Sequence, residues 1–390
     1  METNVNKLKV CILAPYVPIS EHIGGLDIHI HKTIEYLSAR DDIELYVLTI
    51  GNHNGSFRQK NLVVYSIQIN KAIRFPLYIL AAINHLRRKT IEINPDVVHA
   101  VGSFAIYSTT GALLRKKFPT VLTVVSLAKK SIEFYHGKFF LLFTRFITIP
   151  NERYVVSRIP NIILQSTHVE RLVREMTKSK TYVVPEGIEL NNHSSAQILY
   201  SSEKNSDIFL ATRLVKLKGI DTLIKAVSLV TKQIPDIKVY LAGSGEEEEP
   251  LKNLVRDLGL NNNVRFLGFI SDTDELNSYY QACKMVVTPS RMDSEPFAPL
   301  NAAAAGKPSI ISDKANSSII LEGITGFVVP LENVEVLAKK IIQLLTDHKL
   351  REDMGKAAGI KVKEYEWSNI AARDVQIYHE AITNFHKQKY

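Results

Sequence analysis

Arg213 and Lys218 stand in the run TRLVKLKG at 212–219, and Glu295 stands in PSRMDSEPFAPLNAAAAG at 289–306. A guanidinium forks onto phosphate oxygens, and an ammonium adds a point charge. Two such cations in one glycine-ended loop suit a diphosphate. A loop that leads into a helix adds amide groups to the same anion. The carboxylate of Glu295 is the kind of group that reads sugar hydroxyls, with Asp293 close enough to compete for the role. Backbone amides in the run Phe297, Ala298, Pro299, Leu300 and Asn301 can also meet a phosphate, although Pro299 lacks the donor. Gly24 and Gly25 let backbone approach a phosphate closely. Gly268 and Ile270, in a turn after a strand, border a nucleotide base. The combination suggests a grip on a sugar nucleotide. Each residue also has a plainer reading: solvated charges at a helix start for Arg213 and Lys218, a loop-surface carboxylate for Glu295, a flexible connection for the paired glycines.

These residues need a scaffold, and the hydrophobic pattern predicts one. In the first half, LKVCILAP, IELYVLTI, DVVHAVG, TVLTVVS, NIILQS and TYVVPEGIE read as strands. Apolar residues at helical spacing fall between most of them, as in IHIHKTIEYLSAR and LYILAAINHLRRKTIEIN. A polar stretch at 190–205 predicts a linker. The alternation then restarts with SDIFLAT, IKVYLAGSG, VRFLGF, KMVVTPS, PSIIS and GFVVP as strands. Strands separated by helices argue for α/β architecture with doubly wound parallel sheets. The expected organisation is one Rossmann-like domain over 1–195, a second over 196–368, and a closing helical segment over 369–390. Open α/β sheets bind ligands beyond the carboxyl ends of their strands, where most of the residues above fall.

A chain of 390 residues fits two domains better than one core. Its two cysteines, Cys11 and Cys283, sit in apolar strand-like runs. They read as core residues rather than a disulfide or metal pair, which points to a reducing, cytoplasmic setting. No run reaches the length of a membrane span. The net charge of +8 is uneven: residues 1–200 hold 24 Lys and Arg against 15 Asp and Glu, a net of +9. The first half is therefore expected to meet something anionic. The run KKSIEFYHGKFFLLFTRFITIPNERYVVSR at 129–158 interleaves cations with aromatics, which suits an anionic membrane surface or a helix with a solvated basic face. No recognition-helix or RNA-binding motif supports nucleic acid as a partner.

The ordered segments resemble the retaining glycosyltransferases of family 4, the group 1 enzymes of GT-B fold. The likeness rests on APYVPISEHIGGLDIHI, DVVHAVG, YVVPEGIE, ATRLVKLKG, YLAGSGEEEE, NNNVRFLGFISDTDELNSYYQACKMVVTPS and TGFVVP in this order. It covers nearly the whole chain. The resemblance implies two Rossmann-like domains facing a cleft, the donor held mainly by the second domain and the acceptor approaching from the first. It implies a closing carboxyl-terminal helix packed back on the first domain. It also implies hexose transfer from a UDP- or GDP-sugar with retained anomeric configuration, and no metal or other cofactor. Arg213, Lys218 and Glu295 take the catalytic positions. His29 and His99 fall on the acceptor side, although helix hydrogen bonding or packing explains His29 equally well and a lone histidine at a strand end, such as His99, is more often structural.

The chain departs from the family twice. Asn301 stands where a second glutamate usually holds the donor ribose, and Val125 stands where many relatives have a histidine. The acceptor implied is a glycan, a lipid or a lipid-linked saccharide, with peripheral membrane contact through the basic first half. A sugar-nucleotide epimerase of the same architecture, or an inactive sugar-nucleotide-binding protein, are the competing readings.

Overall fold

The computed structural model describes residues 7–16, 25–70, 72–73, 77–102, 105–125, 127, 144–190, 204–293 and 295–387. Gly24 and the first half of the basic aromatic run, residues 129–143, lie outside the described residues. The chain forms two compact units: Met1–Pro185 together with Trp367–Tyr390, and Glu186–Glu366.

The first unit runs β1 (Leu8–Leu13), α1 (Gly25–Ser38), β2 (Ile43–Gly51), β3 (Gly55–Gln59), β4 (Leu62–Gln68), α2 (Leu77–Ile93), β5 (Val97–Val101), α3 (Ala105–Leu114), β6 (Thr120–Val124), α4 (Ile149–Arg158), β7 (Asn161–Leu164), α5 (Thr167–Arg174) and β8 (Lys180–Val183). Its sheet has the order β3-β4-β2-β1-β5-β6-β7-β8. Only β3 is antiparallel to its neighbour. Strand alternation decides which face each side chain serves. Val10 and Ile12 of β1 pack with Ile30, Ile34 and Leu37 of α1 and with Trp367, Ile370 and Tyr378 of the chain's last helix. Cys11 and Leu13 pack on the opposite face with Leu86, Ala112 and Val155, from α2, α3 and α4. Burial on both faces is why these strands read as unbroken apolar runs.

The second unit runs β9 (Ile208–Ala211), a single 3-10 turn at Lys216–Lys218, α6 (Ile220–Val230), β10 (Val239–Ala242), α7 (Glu248–Asp257), β11 (Val264–Gly268), α8 (Thr273–Ala282), β12 (Met285–Thr288), α9 (Phe297–Ala304), β13 (Ser309–Ser312), β14 (Gly326–Val329), α10 (Val334–Thr346) and α11 (His348–Lys361). All of its strands are parallel, in the order β11-β10-β9-β12-β13-β14. The last helix, α12 (Trp367–Lys387), belongs to the first unit. Cys283 is a buried free thiol of the second core, as Cys11 is of the first.

Several boundaries differ from the sequence pattern. The second unit begins at Glu186, ahead of the polar stretch, because Ile188 N–H donates to Tyr365 O at 2.8 Å and its side chain packs with Leu300, Ile319 and Tyr365. Helix α12 begins at Trp367, whose ring is 2% exposed and stacks near Tyr36 of α1. Helix α9 begins at Phe297, ahead of the alanine run at 302–305. Pro299 is tolerated there because the first turn of a helix leaves its amides unpaired in any case.

Candidate functional site

The carboxyl ends of β9, β11 and β12 carry the candidate donor residues, and all three strands belong to the sheet of the second unit. Strand β9 pairs with β12, so the loop bearing Arg213 and Lys218 and the loop bearing Asp293 and Glu295 leave adjacent strands.

Arg213 is held through its neighbours. Thr212 N–H donates to Ala242 O, and Leu214 N–H donates to Ser244 O, both at 2.9 Å. Leu214 O in turn accepts from Glu247 N–H at 2.9 Å. The two loops nest so closely that a Cβ on Gly243 (φ +131°) would lie 1.9 Å from Thr212 O. Only glycine fits that position. Leu214 is buried while Arg213 is exposed. Among the described residues the Arg213 guanidinium has no hydrogen-bond or ion-pair partner.

Lys218 ends the 3-10 turn, with its side chain 16% exposed. Its ammonium forms a short ion pair with the Asp293 carboxylate. Gly219 follows at φ +63° and caps the turn before α6. A Cβ there would lie 2.2 Å from Pro289 O, so the turn sits directly on the backbone that follows β12.

Glu295 is 4% exposed and its carboxyl group is fully engaged. Ser317 Oγ donates to Oε1 at 2.9 Å, and Ser318 Oγ donates to Oε2 at 2.8 Å. Ser318 N–H lies 3.0 and 3.1 Å from the two oxygens. Burial pushes this carboxyl up to about 8, against the pull of the Ser318 and Ser317 donors and with the nearby Glu186 adding to the rise. The group expected to read sugar hydroxyls is thus turned to the loop that follows β13. It pins the start of α9 to that loop, and the acid in contact with the cation turn is Asp293.

Asn301 of α9 donates its amide to Phe297 O at 2.9 Å, a bond inside its own helix. Ala298, Pro299 and Leu300 are buried, and Phe297 is half-buried. Gly268 ends β11 at φ +72°, and its carbonyl accepts from Gly243 N–H at 2.7 Å. A Cβ on Gly268 would meet open space, and Ile270 beyond it is half-buried.

In the first unit His99 does not face an acceptor. It is 0% exposed on β5, with Nδ1 2.7 Å from Tyr378 Oη and Nε2 2.7 Å from Thr123 Oγ1. Burial, with His29 nearby, pushes the imidazole down to about 3, so it is neutral at ordinary pH. Its work is to tie β5 and β6 to α12. His29 is 3% exposed and packs 5.9 Å from the Trp367 ring. Its burial at this helix position is packing against the closing helix of the same unit. Gly25 opens α1, and Gly24 lies outside the described residues. Val125 is half-buried after β6.

Sequence reasoning missed Arg291. Its guanidinium bonds Asp221 at 2.9 and 3.0 Å, Glu332 at 2.6 Å and Lys216 O at 2.5 Å. It also missed Ser317 and Ser318, whose place opposite Glu295 depends on a contact across 22 and 23 residues.

Residues 23–192 match the model described as Glycosyltransferase Family 4, and residues 193–360 match Glycosyl transferases group 1. The chain belongs to the family 4, group 1 glycosyltransferases. An uncharacterized glycosyltransferase of Methanocaldococcus jannaschii is 25% identical, over 96% of this chain and 98% of its own length. The sucrose-phosphate synthase of Thermosynechococcus elongatus has the same fold, with a TM-score of 0.79 at 20% identity over 97% of this chain and 100% of its own. HepE of Anabaena, solved with UDP-glucose, gives a TM-score of 0.72 at 18% identity over 96% of this chain and 100% of its own. The architecture is therefore GT-B, two α/β domains with parallel sheets.

Proposed function

We propose that this glycosyltransferase moves a hexose from a UDP- or GDP-sugar to a lipid, lipid-linked or saccharide acceptor, with retention of anomeric configuration. The observation that carries the donor assignment is the junction of two loops at one sheet edge. Lys218, from the loop after β9, meets Asp293, from the loop after β12, with Arg213 exposed in the same first loop. A diphosphate placed there meets an unpartnered guanidinium and an ammonium whose one anion among the described residues is Asp293.

Sugar transfer breaks the bond between C1 and the phosphate oxygen and forms a bond from C1 to the acceptor oxygen. On a front-face route both events occur on one face of the ring. The departing phosphate oxygen takes the acceptor's proton, and the charge left on the nucleoside diphosphate is stabilised by Arg213 and Lys218. Two fixed cations supply what a metal ion supplies elsewhere, so this reading includes no metal or other cofactor. Asp293 is placed to take a sugar hydroxyl once phosphate draws Lys218 away. Glu295 acts by fixing the loop, and the Asn301 carbonyl oxygen is the acceptor offered to a ribose hydroxyl.

A UDP-sugar is favoured by the fold shared with HepE, which was solved with UDP-glucose. An anionic or lipid-linked acceptor is favoured by the net +9 of residues 1–200. Arg145, Phe146, Arg153 and Tyr154 are exposed at and before α4, a set suited to peripheral contact with an anionic bilayer. No helix among the described residues is long and apolar enough to cross a membrane. An epimerase would need an acid–base pair at the donor, and the sealed His99 does not supply one.

The test is transfer from a panel of UDP- and GDP-hexoses to polyol, saccharide and lipid-linked acceptors, in the presence of a chelator, with the product anomer read by NMR. Retained configuration with chelator present is the expected result. An inverted product, or an epimerised donor in the absence of acceptor, overturns the reading.

A further inference from the structure

We infer that Arg291 is a positioning residue for the diphosphate: it holds the Lys216–Lys218 turn in the shape that presents Lys218. This rests on the reading of Lys218 as a donor-phosphate ligand. The turn is three residues long and has little to stabilise it alone. Beyond the Gly219 N–H bond to Lys216 O at 3.2 Å, its carbonyls accept from the neighbouring loop. Arg291 N–H donates to Leu217 O at 2.8 Å, and Arg291 Nη1 donates to Lys216 O at 2.5 Å. One residue therefore bonds both carbonyls that precede Lys218.

The rest of the guanidinium is committed to carboxylates. Nη1 and Nη2 meet the two Asp221 oxygens at 2.9 and 3.0 Å, and Nε meets Glu332 at 2.6 Å. Asp221 lies in the first turn of α6, so the fork also fixes the helix that the turn enters. The Arg291 side chain is 14% exposed. With two carboxylates against its one charge, Arg291 offers no free positive charge to a phosphate. It acts on the ligand through the shape of the turn. A lysine keeps the charge but has no planar fork, so it cannot hold Asp221, Glu332 and Lys216 O together.

The experiment is a double-mutant cycle on the full chain, read by calorimetric titration of UDP against UMP and of GDP against GMP. The variants are Arg291→Ala, Arg291→Lys, Lys218→Ala and the two double mutants. For the nucleotide that binds, Lys218→Ala lowers diphosphate affinity about tenfold, with the monophosphate unaffected. Arg291→Ala and Arg291→Lys each lower diphosphate affinity about tenfold in the native background and about onefold in the Lys218→Ala background. The monophosphate is again unmoved, which a loosened domain would not give. If Arg291→Ala fails to fold, Arg291→Lys carries the same cycle, and a Glu332→Gln variant, which removes one arm of the clamp, shows a smaller loss of the same kind. Equal losses in both backgrounds, or equal losses of monophosphate and diphosphate, overturn the inference while leaving the donor site intact. If Lys218→Ala itself changes nothing, the reading of Lys218 as a donor-phosphate ligand fails, and the inference fails with it.

Discussion

Replacing Glu295 with glutamine removes a titration that the fold makes costly. The ordinary value for this carboxyl is 4.5, and burial raises it to about 8. Between those two values the unfolded chain has lost the proton while the folded chain still holds it. Stability therefore falls as pH rises, by about 1.4 kcal/mol per pH unit, or about 5 kcal/mol across the whole window. The sign follows from the raised folded value: the contribution is fully present below 4.5 and is lost as pH climbs through about 8. Glutamine keeps an acceptor for Ser317 or Ser318 and has no proton to lose. Urea unfolding followed by far-UV circular dichroism, at intervals from about pH 5 to 9, gives the difference between variant and native protein. That difference should move in favour of Glu295→Gln by about 1.4 kcal/mol per pH unit and level off above about pH 8. A difference that stays flat, or that moves in favour of the native protein as pH rises, would mean that the four serine contacts hold a carboxylate instead. The reasoning would then be refuted.

Three further outcomes follow from the packing. His99→Gln should remove a pH dependence of the opposite sense: the imidazole is pushed down from 6.5 to about 3, so its stabilising contribution is present above 6.5 and is lost as pH falls toward about 3. Acid unfolding of the native protein should therefore be steeper across that window than that of the variant, and equal slopes would sink the assignment. Tyr378→Phe leaves a ring nitrogen of buried His99 without its hydroxyl partner and should cost about 1–3 kcal/mol in urea unfolding, with a value near zero counting against the tie between β5 and α12. Gly219→Ala places a Cβ 2.2 Å from Pro289 O at a left-handed backbone position. It should weaken nucleoside-diphosphate binding more than monophosphate binding, and unchanged titrations of both would show that the turn tolerates the shift.

Much of the scaffold was legible because parallel strands buried on both faces leave apolar runs. LKVCIL, VVHAV and MVVT have no other comfortable place in a folded chain. The β3–β4 hairpin was not legible: β3 is GSFRQ, exposed along its length, and carries no core pattern. Helix α11, HKLREDMGKAAGIK, holds two glycines and few apolar residues, so its periodicity is faint. At the site, the place of the Arg213 and Lys218 loop between a strand and a helix was readable from residue types and spacing. The fate of Glu295 was not, because Ser317 and Ser318 reach it only when β12 and β13 lie side by side. His99 shows the same limit. A histidine ending a strand looks available until Tyr378, 279 residues away, is seen to close on it.

Two cations of the second unit gripping a pyrophosphate are tested most directly by calorimetric titration of UDP-sugars and GDP-sugars into the native protein, Arg213→Ala and Lys218→Ala. Loss of about tenfold or more in affinity for either variant, shrinking as salt is raised, is the expected result. Native-strength binding by both variants would contradict it.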